Sequence, residues 1–99
     1  MSPYNVSRAI LKEMPEHMLE RFANAYGAAA AEFDALRAEA QQKLHDYTRR
    51  IDPDPTFMWL LRARVEHNTN ERDRCQEAYA QLLARIALLE MAAELEVKS

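Results

Sequence analysis

Ile51-Asp52-Pro53-Asp54-Pro55 stands close to the midpoint of a chain of 99 residues. Proline lacks a backbone donor and clashes with the preceding helical turn, and it pushes the residue before it out of the α region. Two prolines one residue apart therefore stop any helix arriving from the N-terminal side. The same stretch starts another helix, because Asp54 is a good N-cap and Pro55 suits the first helical position. A turn of only 52–55 forces the two helices it joins to lie side by side and antiparallel.

Working back from the turn, a long helix is expected over about 15–51. Phe22, Tyr26, Ala29, Phe33, Leu36, Ala40, Leu44, Tyr47 and Ile51 recur at steps of three and four, with one four-residue insertion. That is a coiled-coil-like seam, on a helix roughly 55 Å long. Working forward, a second long helix is expected over about 55–97. Its seam takes in Phe57, Leu61, Val65, Asn68, Arg72, Cys75, Tyr79, Leu82, Ile86, Leu89 and Ala93. Ser2-Pro3 opens a short helix over about 3–14, with Val6, Ile10 and Met14 at i+4 spacing. Pro15 ends that helix and can open the next. The expected fold is all-α, a single helical domain over 1–99: a long antiparallel helical hairpin preceded by a short N-terminal helix. Dimerisation or a partner would complete a helical bundle.

The hairpin implies a register. Residues whose numbers add to about 107 should lie level. Tyr79 then faces the small residues Gly27–Ala29, Ile86 lies near Phe22, and Leu89 near Met18. Asn68 and Arg72 fall opposite Asp34–Glu39, so Arg72 can pair with Asp34 or Glu39. A polar layer in a long apolar seam reads as a device that fixes alignment.

The composition agrees with helices and excludes other classes. One Gly in the chain leaves almost no residue that reaches positive φ cheaply, which argues against hairpin-rich β folds and Gly-rich phosphate loops. A hydrophobic content of 48% argues against a disordered tail. The net charge is −3, and the excess acid lies in the second half, at Glu90, Glu94 and Glu96 above all. No run of about 18 apolar residues exists to span a membrane, and no apolar signal segment follows a basic start. Asn5-Val6-Ser7 fits a glycosylation sequon that matters only in a secreted protein. A cytoplasmic location is the expectation, consistent with the unpaired Cys75.

No catalytic constellation is visible, and the chain is expected to be no enzyme. No cofactor is expected. His67, Glu71 and Cys75 share a helix face at i, i+4 and i+8. They fall short of a zinc site, which needs a further dependable ligand and a second shell, so no metal is expected either. Cys75 lies on the seam, as a buried inert thiol would.

What remains is apolar surface in excess of one seam. Phe57-Met58-Trp59-Leu60-Leu61 points all round its helix. Leu88, Met91 and Leu95 form a second stripe beside Leu82, Ile86 and Leu89, which the short N-terminal helix could also cover. Phe57, Met58, Trp59, Leu60, Leu88, Met91 and Leu95 are therefore the candidate partner-binding residues. The local alternative is Trp59 folding over the tip onto Tyr47 or Ile51. The outline, a helical hairpin hinged at a Pro-x-Pro turn, is similar in architecture to bacterial export chaperones and secretion-needle subunits, over the hairpin alone. A non-enzymatic protein–protein interaction module is the expectation: an adaptor, small chaperone-like or inhibitory protein, with a homodimer or a helical protein as partner. The alternative is a small dimeric regulator contacting nucleic acid through Arg49, Arg50, Arg62 and Arg64 at the tip. Interspersed acids at Asp46, Asp52, Asp54 and Glu66 disfavour it, since a phosphate-binding surface usually carries an uninterrupted basic stripe. No membrane or small-molecule substrate is expected.

Overall fold

The structure, a computed structural model, describes residues 14–98. Two helices account for nearly all of them: α1 over Glu16–Thr48 and α2 over Pro55–Lys98. They pack along their lengths as an extended hairpin measuring 72 × 24 × 15 Å. The short helix expected over 3–14 lies outside the described residues apart from Met14.

Helix α1 starts from Pro15, whose extended backbone (ψ 151°) precedes the first helical residue. The Pro15 carbonyl accepts the N–H groups of Met18 and Leu19 at 3.0 and 3.1 Å, so two of the otherwise unpaired donors of the first turn are satisfied. Helix α1 ends at Thr48, three residues short of the expected Ile51. Asp52 and Pro53 account for the shortfall: the proline cannot donate to a carbonyl four residues back, and the chain leaves the helix ahead of it. Ile51 consequently lies fully exposed in the turn and is no seam residue. The reversal runs over 49–54, longer than the expected 52–55, and no described residue takes a positive φ. Helix α2 starts as the sequence implies, with the Asp54 carboxylate accepting the Thr56 N–H at 3.0 Å and Pro55 as the first helical residue.

The α1 seam differs from the expected one. Phe22 and Leu36 are exposed, and the buried positions are Leu19, Ala23, Ala30 and Ala40. Leu19, Ala23, Tyr26, Ala30, Phe33, Arg37, Ala40, Leu44 and Tyr47 step 4, 3, 4, 3 without interruption, each at least partly buried. There is no insertion. Weighting by hydrophobicity selected Phe22 and Leu36 over Ala23 and Arg37. Packing selected the small side chains, which let the helices approach, and a cation, Arg37, that is held by Asp34 and Gln41 of its own helix. The α2 seam follows expectation from Leu61 to Leu89, with Leu61, Asn68, Cys75 and Leu82 buried at strict seven-residue spacing. Its two ends do not: Phe57 and Ala93 are exposed. Ala78 joins the buried set.

The densest packing lies at the end away from the turn. Leu19, Ala23 and Leu82 are buried together, with Met14, Tyr26, Tyr79, Ile86 and Leu89 against them. Ile86 thus meets the Leu19–Ala23 cluster, while Phe22, its expected neighbour, is exposed.

The register holds. A Cβ built on Gly27 would lie 3.3 Å from Tyr79 Cε2, so the tyrosine ring rests on the glycine. Arg72 donates to Asp34 at 2.8 Å across the groove, and the rings of Tyr47 and Phe57 meet edge to face at 4.6 Å. These partners' numbers add to 106, 106 and 104, close to the expected 107.

Candidate partner-binding face

The tip is closed by Tyr47 and Phe57. The Tyr47 hydroxyl oxygen accepts the Asp54 N–H at 2.8 Å, tying the turn to the last turn of α1. The Arg50 guanidinium sits 5.0 Å from the Tyr47 ring centroid, within cation–π range. Phe57 therefore takes the place that Trp59 was offered in the local alternative. Trp59 lies on the other side of α2 and stays exposed.

Of the seven candidate residues, Met58 is half-buried, because its heptad position turns it toward α1. Phe57 is exposed in part and committed to Tyr47. The remaining five form two groups on the side of α2 that faces away from α1. Trp59 (66% exposed) and Leu60 (52%) sit beside the turn, and Leu88 (57%), Met91 (59%) and Leu95 (68%) sit at the far end. Met91 and Leu95 lie beyond the level of Glu16, where α1 begins, so α1 cannot cover them. Val97, Phe22, Leu36 and Leu83 add exposed apolar area that the sequence reading did not single out. For Phe22 and Leu36, the uninterrupted 4-3 stepping through Ala23 and Ala30 was the signal that would have placed them outside.

The polar layer at mid-hairpin is well formed. Asp34 accepts from Arg37 Nε at 3.1 Å and from Arg72 Nη1 at 2.8 Å, and Arg72 also reaches Asp73 at 3.1 Å. Asn68, about one helical turn before Arg72 along the same seam, is buried. The two guanidiniums, Arg72 first, hold the Asp34 carboxyl below its ordinary value, and Asp34 and Asp73 in turn raise Arg72.

His67, Glu71 and Cys75 do not converge on one point. His67 is exposed, Glu71 pairs with Arg74 at 3.2 Å, and Cys75 is fully buried against α1. Burial, with a smaller contribution from the Glu71 charge, pushes the Cys75 thiol up and away from the reactive thiolate. Among the described residues no three His, Cys, Asp or Glu side chains are grouped to hold a metal ion. Of the tip arginines, Arg50 and Arg64 share a groove with Lys43 and Asp46 that neither Arg49 nor Arg62 lines. No helix among the described residues is long and apolar enough to cross a membrane. Comparison of the chain with protein-family models, with curated proteins and with solved structures finds no match for it.

Proposed function

We propose that this protein is a non-enzymatic interaction module, a helical hairpin that binds another helical protein surface through the outer side of α2. The observation that carries the reading is the exposure of Trp59, Leu60, Leu88, Met91 and Leu95 on one helix side that α1 does not reach. A Trp and a Met held half or more in water cost free energy that burial against a partner recovers, at about 25 cal/mol per Å² of apolar area. Such residues are typical of interface centres. The mode would be helix-on-helix packing that completes a bundle. We place the module in the cytoplasm, where the unpaired Cys75 stays reduced.

The test immobilises the chain and compares it with a Trp59→Glu/Leu88→Asp variant, both checked for helicity by circular dichroism. The wild-type chain should retain a protein in stoichiometric amount, its own copy included, and the variant should lose it. Trp59 emission should shift to the blue when that protein is added. If nothing is retained and Trp59 emission stays that of a water-exposed indole throughout, the module reading fails.

A further inference from the structure

The outer side of α2 has a pattern along its length as well as across it. Trp59 and Leu60 stand at one end, and Leu88, Met91 and Leu95 stand at the other. Between them the exposed side chains from Arg62 to Glu77 are polar, with Arg74 and Glu77 near the centre, and the exposed Ala80, Leu83, Ala84 and Ala87 lead up to Leu88. An apolar–polar–apolar strip is complementary to itself when reversed. If position 60 is set level with position 91 of a second α2 running the opposite way, each apolar end meets the other copy's apolar end. The two polar centres then also meet.

The charges choose the same arrangement. The half of α2 nearest the turn carries Arg62, Arg64, Arg72 and Arg74 against Glu66, Glu71 and Asp73, a net charge of +1, and the far half carries Glu77, Glu90, Glu94 and Glu96 against Arg85 and Lys98, a net charge of −2. In the reversed alignment Arg74 comes level with Glu77 of the second copy, and Arg62 falls within one residue of Glu90. Both contacts occur twice by symmetry. A parallel alignment instead sets Arg62 against Arg62, Arg74 against Arg74 and Glu90 against Glu90, which is repulsive at every pair. The strip from position 59 to position 95 is about 54 Å long. With a helix-contact width of about 10 Å, two copies would bury about 1,000 Å² in total, at the lower edge of a specific interface.

On these grounds, and resting on the module reading above, we propose that the partner is a second copy of this chain. The two α2 helices pack antiparallel about a two-fold axis near positions 75 and 76, with Leu60 of each copy against Leu88 and Met91 of the other. Such a contact is isologous and closes on itself, so it stops at two copies.

Two measurements test this. The first is light scattering and sedimentation of the full chain over about 1–200 µM, the range suited to an interface of this size. A concentration-dependent dimer is expected. Arg62→Glu should raise its dissociation constant about fivefold, the scale of two exposed ion pairs reversed. Arg62→Glu/Glu90→Arg should return it to within about twofold of wild type. Leu88→Asp should weaken it more than about a hundredfold. The second is disulfide trapping. A Leu60→Cys/Met91→Cys chain should oxidise to a covalent dimer. Leu60→Cys alone and the wild-type chain with its buried Cys75 should not, since the two copies of residue 60 lie about 46 Å apart. Trapping by Leu60→Cys alone would mean a parallel pair and would overturn the arrangement. A monomer at every concentration, with no trapped dimer, would overturn the second copy as partner. If that monomer still retains a different protein that Leu88→Asp loses, only this inference falls and the module reading stands. If it retains nothing, both fall.

Discussion

Asp34 shows what one carboxylate does in this hairpin. It is held by Arg37 from its own helix and by Arg72 from the other, so the folded chain favours its ionised form more than the unfolded chain does. A folded-state value lowered from the ordinary 3.8 means that this contribution is complete above pH 3.8 and is lost as the pH falls through the lowered value. Thermal melting of wild type and Asp34→Asn at a series of pH values should therefore show a gap at neutral pH that closes below about pH 3.8. The gap should be small, because the Asp34 side chain is half exposed and solvent screens the pair. A gap that widens in acid would contradict the assignment. Gly27 is the second informative residue. Ala in its place gains up to about 1 kcal/mol of helix propensity and sets a Cβ 3.3 Å from the Tyr79 ring. That ring is only half-buried and can shift by a few tenths of an ångström. Gly27→Ala should thus be stabilising by a few tenths of a kcal/mol, whereas Gly27→Leu should cost about 1–3 kcal/mol through overpacking. Denaturant unfolding of both variants decides whether Tyr79 rests where the structure puts it.

Among the elements, the turn and the seams carry the fold. Two independent ties hold the turn: the Asp54 cap on Thr56 and the Tyr47 hydroxyl on the Asp54 N–H. Asp54→Ala should cost about 1 kcal/mol in denaturant unfolding. Tyr47→Phe keeps the ring against Phe57 and leaves an exposed N–H that water can satisfy, so it should cost less, about 0.5 kcal/mol. The reverse order would mean that the hydroxyl, and not the cap, closes the hairpin. The turn chemistry was readable beforehand because Asp54-Pro55 states its own local preference. The α1 seam was not, because Phe22 and Ala23 sit side by side on the helix and only the facing helix decides which one is covered. Alanine fills three of the four buried positions of α1, and α2 comes close enough there for Tyr79 to rest on Gly27.

At the scale of the molecule, the hairpin is a rod. Its radius of gyration is 19.4 Å, against about 13 Å for a compact chain of this length. Small-angle scattering at the lowest usable concentration should return a value near 19 Å, and a value near 13 Å would mean that the two helices fold into something shorter. The rod has one consequence for function: α2 is longer than α1 by 11 residues, so its far end runs past the start of α1. That overhang, together with Trp59 and Leu60 at the other end, is where the partner-binding proposal rests.

The sequence by itself determined the two long helices, the break at Asp52-Pro53-Asp54-Pro55, the antiparallel pairing and its register to within three residues, and a tie from Arg72 to Asp34 or Glu39, of which the structure selects Asp34. All of these follow from local backbone preference or from level-by-level geometry once the turn is located. The surplus of apolar side chains was also visible in it. Tertiary structure alone decided which members of that surplus are free. Met58 turns inward and Phe57 is taken by Tyr47, while Trp59 points away from both. A difference of 100° around a helix separates these neighbours, and hydrophobicity is the same whichever way a side chain points. Burial is a property of what lies opposite, and only the packed pair of helices supplies that.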